Sequence, residues 1–266
     1  MIQVSKKEIP DILQRNQQEW TTILINLVHE YGGYDKIPES IKNIAVNKYR
    51  HEEIKNAVID ITKGKCVFCE SYIDNVDYPN IEHFYPKSVH PKFTFKWSNL
   101  FPACRKCNIP KDDFDTKNNP FLHPVKDNAE EYFEYDELKI KIKADAPDYD
   151  KAYNTIAKCN LDRITLCRQH SEILLTFYEV ELEINKNIKH YKSLTQNASK
   201  VKNCIKLLDS IDNLKMQTKY NMPYASFLRF IIKESSIIKE AISIINIHFI
   251  EIGLTKEFDF QWKVSA

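Results

Sequence analysis

The chain has 266 residues, enough to bury a sizeable core in one or two compact domains. Its 43% hydrophobic and 28% charged content is ordinary for a globular protein and gives no sign of a disordered or repetitive chain. A net charge of +1 lacks the basic excess that a stand-alone nucleic-acid binder uses to neutralise phosphates, so any such contact must come from a local patch.

With only 4 Gly, the chain has little material for glycine turns and reads as rich in helix. The opening residues, Met1 to Lys7, lack the apolar run of a signal peptide. The most apolar stretch, Phe227 to Ile250, is interrupted by Arg229, Lys233, Glu234, Lys239 and Glu240, a pattern that suits a buried helix or helix pair better than a membrane span. The expectation is therefore a cytoplasmic protein with no membrane association, in a compartment where closely spaced cysteines bind metal more often than they form disulfides.

In chain order, Ile9, Ile12, Leu13, Trp20, Ile23, Leu24, Leu27 and Val28 carry a helical period over 8–30 that stops at Gly32-Gly33. Two shorter helices are expected near 39–49 and 51–63, the second ending at Gly64. From Lys65 to about Pro124 the amphipathic period disappears, and Pro, Asn, Asp and aromatic residues take over. Tyr132 to Ile142 reads as a small hairpin turning at Asp136-Glu137. The helical period returns over roughly 150–185, 188–215 and 222–251, and alternation of Phe258, Phe260 and Trp262 predicts a short terminal strand. The expected fold is α+β, mostly α, in three parts: an N-terminal helical region at 1–64, a zinc-clasped core with its hairpin at 65–145, and a C-terminal helical region at 146–266.

Two C-x-x-C pairs, Cys66/Cys69 and Cys104/Cys107, bracket the non-helical segment. Each spacing lets two thiolates face one ion at about 2.3 Å, and two such knuckles complete a tetrahedral site for structural Zn²⁺. A redox C-x-x-C would need a single pair in a βαβ context, which is absent. Cys159, Cys167 and Cys204 fall in helical patterns and read as core residues. A four-thiolate zinc site has no open coordination position, so any catalysis must come from elsewhere.

The clasp encloses Asn80-Ile81-Glu82-His83-Phe84, then Trp97-Ser98-Asn99-Leu100, and is followed by Asn108 and Lys111. Hydrolysis of a phosphodiester needs an activated water and neutralisation of developing charge. A neutral His is the usual base near pH 7, and a carboxylate with an amide oxygen suits a hard Mg²⁺ or Mn²⁺ ion. His83, Glu82 and Asn108 supply those groups. Between Ile81 and Lys111 the bases Lys87, Lys92, Lys96, Arg105, Lys106 and Lys111 face a single acid, Glu82, so the neutral total conceals a basic segment. Lys87, Arg105 and Lys106 are its candidate nucleic-acid contacts.

In this order of elements the segment Cys66 to Lys111 resembles the HNH endonuclease family: a first knuckle, an acid–His pair, an Asn-Leu, and a second knuckle followed by Asn and Lys. The resemblance implies a ββα-metal core with His83 near the end of the first strand and Asn108 at the start of the helix. It implies that His83 is the general base, that Glu82 and Asn108 hold the catalytic Mg²⁺ or Mn²⁺, that Asn99 holds the base-bearing loop, and that Lys111 contacts phosphate. Glu82 departs from the commoner Asp by one methylene. Ile81-Glu82-His83-Phe84, Asn119-Pro120, the acidic run to Phe133 and the expected helix from Thr155-Ile156 through Leu161 to Arg168 further resemble the HNH subunits of Septu-type and retron-linked anti-phage systems. This branch implies an effector nuclease working beside an ATPase partner subunit on nucleic acid, DNA more than RNA.

Other histidines, His29, His51, His170, His190 and His248, read as ordinary structural or exposed side chains, while His90 and His123 lie near enough in sequence to join the site. The alternative is a zinc-stabilised nucleic-acid-binding or assembly subunit without catalysis. It keeps the four cysteines but has no need of Glu82, His83 and Asn108 together.

Overall fold

Pro10 opens the first helix, α1 (Asp11–Tyr31), because its fixed φ suits a helix start and its missing N–H is not needed there. Gly32, at φ 70°, closes it, with Gly32 and Gly33 N–H donating to the carbonyls of His29 and Val28. These residues belong to a computed structural model of the chain that describes residues 1, 3–73 and 80–251. Helix α2 (Glu39–Val46) runs into a 3-10 turn at Asn47–Arg50, and α3 (Glu52–Asp60) follows, capped by the His51 ring accepting from Glu53 N–H. The two short helices expected from sequence are present; α2 gives way to that 3-10 turn, and α3 ends at Asp60 in a hydrogen-bonded turn.

Strand β1 (Asn80–His83) pairs antiparallel with β2 (Leu100–Ala103), in a register that sets Glu82 opposite Phe101 and His83 opposite Leu100. Helix α4 (Arg105–Lys111) starts two residues after β2. This is the ββα order implied by the resemblance, with His83 as the last residue of β1. A second hairpin, β3 (Phe133–Asp136) and β4 (Lys139–Ile142), turns through Glu137 at φ 52°. Helix α5 (Tyr149–Lys158) is capped by the Asp148 carboxylate, which accepts from Lys151 N–H.

The expected long helix over 150–185 is in fact two. Asn160 takes a left-handed conformation at φ 50°, and Leu161 N–H returns to the Ile156 carbonyl, so α5 ends in a helix-closing turn. Helix α6 then runs from Ile164 to Ser193, α7 from Asn197 to Gln217, α8 from Ala225 to Glu234 and α9 from Ser236 to Glu251. The expected span 222–251 is likewise split. Ser235 is extended at ψ 119°, and its hydroxyl accepts from Ile238 N–H as the cap of the following helix.

The chain divides into two compact units, the first comprising Met1–Arg163 and the second beginning at Ile164. The helices of 1–64 therefore share a unit with the clasped segment, the hairpin and α5. They pack on it directly. Trp20 meets Phe95 edge-on at 5.6 Å, and the Trp97 indole N–H donates to the Lys7 carbonyl at 2.9 Å. The second unit is built on its own core of Phe177, Ile184, Ile188, Leu207, Ile211, Leu214, Leu228, Ile232, Ile238 and Ile245. His170 stacks on Phe227 at 4.4 Å as an ordinary core histidine. Among the described residues no helix is long and apolar enough to cross a membrane. The strand expected at Phe258, Phe260 and Trp262 lies outside the described residues.

Candidate active site and metal clasp

The four cysteines of the two knuckles converge. All are buried and free, and their sulfurs lie within 4.8 Å of one another, with Cys69 and Cys104 3.7 Å apart. A disulfide requires about 2.05 Å between sulfurs, whereas a tetrahedron with metal–sulfur bonds of about 2.3 Å has an edge of about 3.8 Å. The cluster therefore has the dimensions of a Zn²⁺ site. The first knuckle is shaped by Glu70, at φ 62°, whose N–H donates to the Cys66 carbonyl, and it is tied to β2 through Val67 N–H and the Pro102 carbonyl. The second knuckle closes over the first turn of α4, where Cys107 N–H donates to the Cys104 carbonyl.

Arg163 joins this cluster, a contact that no sequence spacing announces. Its Nη1 donates to Cys107 Sγ at 3.5 Å and to the Asn160 carbonyl at 2.9 Å. Burial works against its charge, but the Cys107 and Cys69 sulfurs more than offset this and hold its pKa above the ordinary value. A tetrathiolate zinc site carries a formal charge of about −2, so a guanidinium beside it is favourable.

A cleft of about 650 Å³ is lined by Glu82, His83, Lys87 and Asn108, and also by Tyr49, Arg50 and Lys55 from the N-terminal helices. His83 is 5% exposed, and Tyr49 stands edge-on to its ring at 4.6 Å. His83 Nε2 lies 3.0 Å from the Thr94 carbonyl. A carbonyl can only accept, so Nε2 carries the proton of the neutral ring and Nδ1 keeps its lone pair. Burial, reinforced by the Lys87 charge, lowers the His83 pKa to about 3, which keeps the ring neutral at physiological pH.

Asn99 explains why the ring is held there. It is buried, its side-chain oxygen accepts from Tyr85 N–H at 2.7 Å, and its amide donates to the carbonyls of Tyr85 and Phe93 at 3.0 Å each. One side chain thus ties both ends of the loop between His83 and Thr94, including the segment whose Thr94 carbonyl orients the histidine. The loop has a second clasp, the His90–Asp115 pair at 2.6 Å.

Lys111 is at 1% exposure. Its ammonium forms an ion pair with Glu82 Oε1 and donates to the His83 carbonyl at 3.3 Å. The sequence resemblance assigns this lysine to phosphate; the fold buries it beneath β1 instead, against the carboxylate. Burial pushes the Glu82 carboxyl above its ordinary pKa, against the pull of Lys111. Glu82 and Asn108 both border the cleft and offer a carboxylate and an amide, a hard-oxygen set that fits Mg²⁺ or Mn²⁺.

The remaining candidates separate. Lys87 lines the cleft, while Arg105 and Lys106 are exposed on α4 and do not. His90 and His123 also stand outside it. His123 packs on Phe84 at 4.5 Å, its Nδ1 accepts from Val125 N–H, and burial lowers its pKa to about 4. Tyr49, Arg50 and Lys55 were not predicted, because their positions in a helical stretch carry no signal that this face meets the clasped segment.

No family model matches the chain. Two curated relatives do, both called Septu protein PtuB. The protein from Bacillus thuringiensis is 39% identical over 75 residues, 28% of this chain and 29% of the relative. The protein from Bacillus mycoides (strain KBAB4) is 25% identical over 194 residues, 65% of this chain and 60% of the relative. The matched stretches thus span less than two thirds of either relative. Both bear the name of the Septu branch that Ile81-Glu82-His83-Phe84, Asn119-Pro120 and the stretches after them resemble.

Proposed function

We propose that the chain is a metal-dependent HNH endonuclease that hydrolyses phosphodiester bonds in nucleic acid, DNA in preference to RNA, and that it is the cytoplasmic effector of a bacterial anti-phage defence system. The observation that carries this reading is the setting of His83. The ring ends the first strand of a ββα unit, is kept neutral, is bound through Nε2 to a backbone carbonyl, and borders a cleft shared with a carboxylate and an amide. Similarity to two Septu proteins supports the defence role and a partner protein, for which an ATPase subunit is the expected kind.

The chemistry follows from those positions. His83 Nδ1 accepts a proton from the attacking water as that water adds to phosphorus. Asn99 holds the loop so that the ring does not turn away. A phosphate entering the cleft adds negative charge beside Lys87, which opposes one cause of the low His83 pKa and makes the ring a better base while substrate is bound. Glu82 and Asn108 would hold a divalent ion, which supplies charge neutralisation at the scissile phosphate and at the leaving oxygen. The four cysteines hold structural zinc and take no part in the reaction.

Incubation of the purified chain with plasmid DNA and with total RNA in Mg²⁺ or Mn²⁺ tests this. The His83→Ala variant is expected to lose at least 100-fold in cleavage, roughly the effect of removing a general base, with zinc content unchanged. Cleavage by that variant at the parent rate would sink the assignment. One observation favours a non-catalytic binding or assembly subunit, namely that Glu82 is already paired with Lys111. Binding without cleavage under any divalent ion would support that alternative.

A further inference from the structure

The cleft is walled by two stretches of chain that are remote in sequence. One wall is the clasped segment, carrying His83 and Lys87. The other comes from the 3-10 turn Asn47–Arg50 and from α3, and contributes Arg50 and Lys55. Arg50 is exposed, but it is not free to swing anywhere. Its Nε donates to the Tyr49 hydroxyl at 3.2 Å, and Tyr49 is the residue whose ring edge meets His83. The cation is thereby tethered one residue away from the proposed base.

The charges on this lining are not balanced pair by pair. Among the described residues none of Arg50, Lys55 and Lys87 has a carboxylate within ion-pair distance. Elsewhere in the same unit cations do find such partners, as with Lys63 and Asp60, Lys111 and Glu82, and Lys151 and Asp127. The acids on the cleft are Glu82, taken up by Lys111, and Asp112 and Asp113 at its α4 side. Three cations left without a carboxylate partner around one cleft repel one another, and a polyanion removes that cost. Arg105 and Lys106, the basic pair most obvious in the sequence, are exposed away from this recess.

We propose that Arg50 and Lys55, together with Lys87, form the phosphate-binding wall of the cleft and hold a nucleic-acid backbone across His83. The N-terminal helices are then part of the substrate site and not only scaffold. This rests on the nuclease reading above for the identity of the polyanion, but it concerns binding and can be tested apart from cleavage.

Binding is measured by fluorescence anisotropy of labelled 20-nucleotide single- and double-stranded DNA, over a series of KCl concentrations, with the His83→Ala chain. Adding Arg50→Gln and Lys55→Gln is expected to weaken binding at least tenfold and to make the plot of log affinity against log salt shallower by about two, one for each lost phosphate contact. A charge-matched control, Lys36→Gln with Lys139→Gln at exposed positions off the cleft, should leave the slope unchanged. The conservative pair Arg50→Lys and Lys55→Arg should restore it. Equal behaviour of the Gln pair and the control, or no binding by the parent at any salt, overturns the wall. If the parent cleaves plasmid while the Gln pair and control behave alike, the nuclease reading stands without the wall. If nothing cleaves but the slope falls, the wall stands and the nuclease reading fails.

Discussion

The clasp and the cleft draw on one ββα unit and are built in opposite ways. The clasp takes four identical side chains from two short spacings, Cys66/Cys69 and Cys104/Cys107, and closes on itself. The cleft takes unlike side chains from a strand, a loop, a helix and the N-terminal helices, and stays open. Four thiols around one point can be satisfied together only by a cation, so the clasp is a matter of stability. In the cleft, a neutral histidine, a carboxylate held by a lysine and several unpaired cations are kept at some cost, as functional sites generally are.

The largest expected effect breaks the clasp. Replacing Cys66 or Cys104 by Ala, or removing zinc with a strong chelator, should unfold the first unit, since a structural zinc site of this kind contributes about 10 kcal/mol or more. Loss of cooperative melting together with loss of one equivalent of zinc checks this. A zinc-free chain that melts at the parent temperature would contradict it.

A smaller effect sharpens what Lys111 does. Changing Lys111 to Met strands the Glu82 carboxylate in the interior and should cost about 3–5 kcal/mol near pH 7, while Lys111→Met combined with Glu82→Gln should recover most of that loss. If Glu82 also faces the catalytic ion, millimolar Mn²⁺ should raise the melting temperature of the Lys111→Met chain more than that of the parent. An equal shift in both would remove Glu82 from the proposed ligands.

The smallest effect concerns acid. Folded His83 has a pKa of about 3 against an unfolded value of about 6.5. The unfolded chain therefore binds a proton that the folded chain refuses, and stability falls as pH drops below the unfolded value, towards the folded one. Between pH 7 and 5.5 this amounts to about 1 kcal/mol for His83 alone. Denaturant midpoints of the parent and of His83→Gln at the two pH values isolate it, because the variant lacks that part of the slope. Parallel behaviour of the two chains would mean that the ring is not held neutral.

Much of this could be read from residue order. The four cysteines, the end of α1 at Gly32-Gly33 and the hairpin turning near Glu137 rest on local rules, such as ligand spacing, period and turn chemistry, which act within a few residues, whereas the β1–β2–α4 order is implied by the family resemblance alone. Asn99 was legible through family order, and its three hydrogen bonds to the loop supply the physical reason for that position. The breaks at Asn160 and Ser235 were missed because the apolar period continues through them, and only a left-handed residue and a serine cap interrupt the backbone.

What tertiary structure alone decided is which charges meet. Lys87, Arg105, Lys106 and Lys111 look alike in the sequence, yet one borders the cleft, two face solvent and one is buried against Glu82. Arg50, Lys55 and Arg163 carry no motif, yet the first two reach the cleft of His83 and the third reaches the cysteine sulfurs. A charge acts through space and not along the chain. Its role is set by the dielectric and the partners that folding brings to it, and one-dimensional spacing records neither.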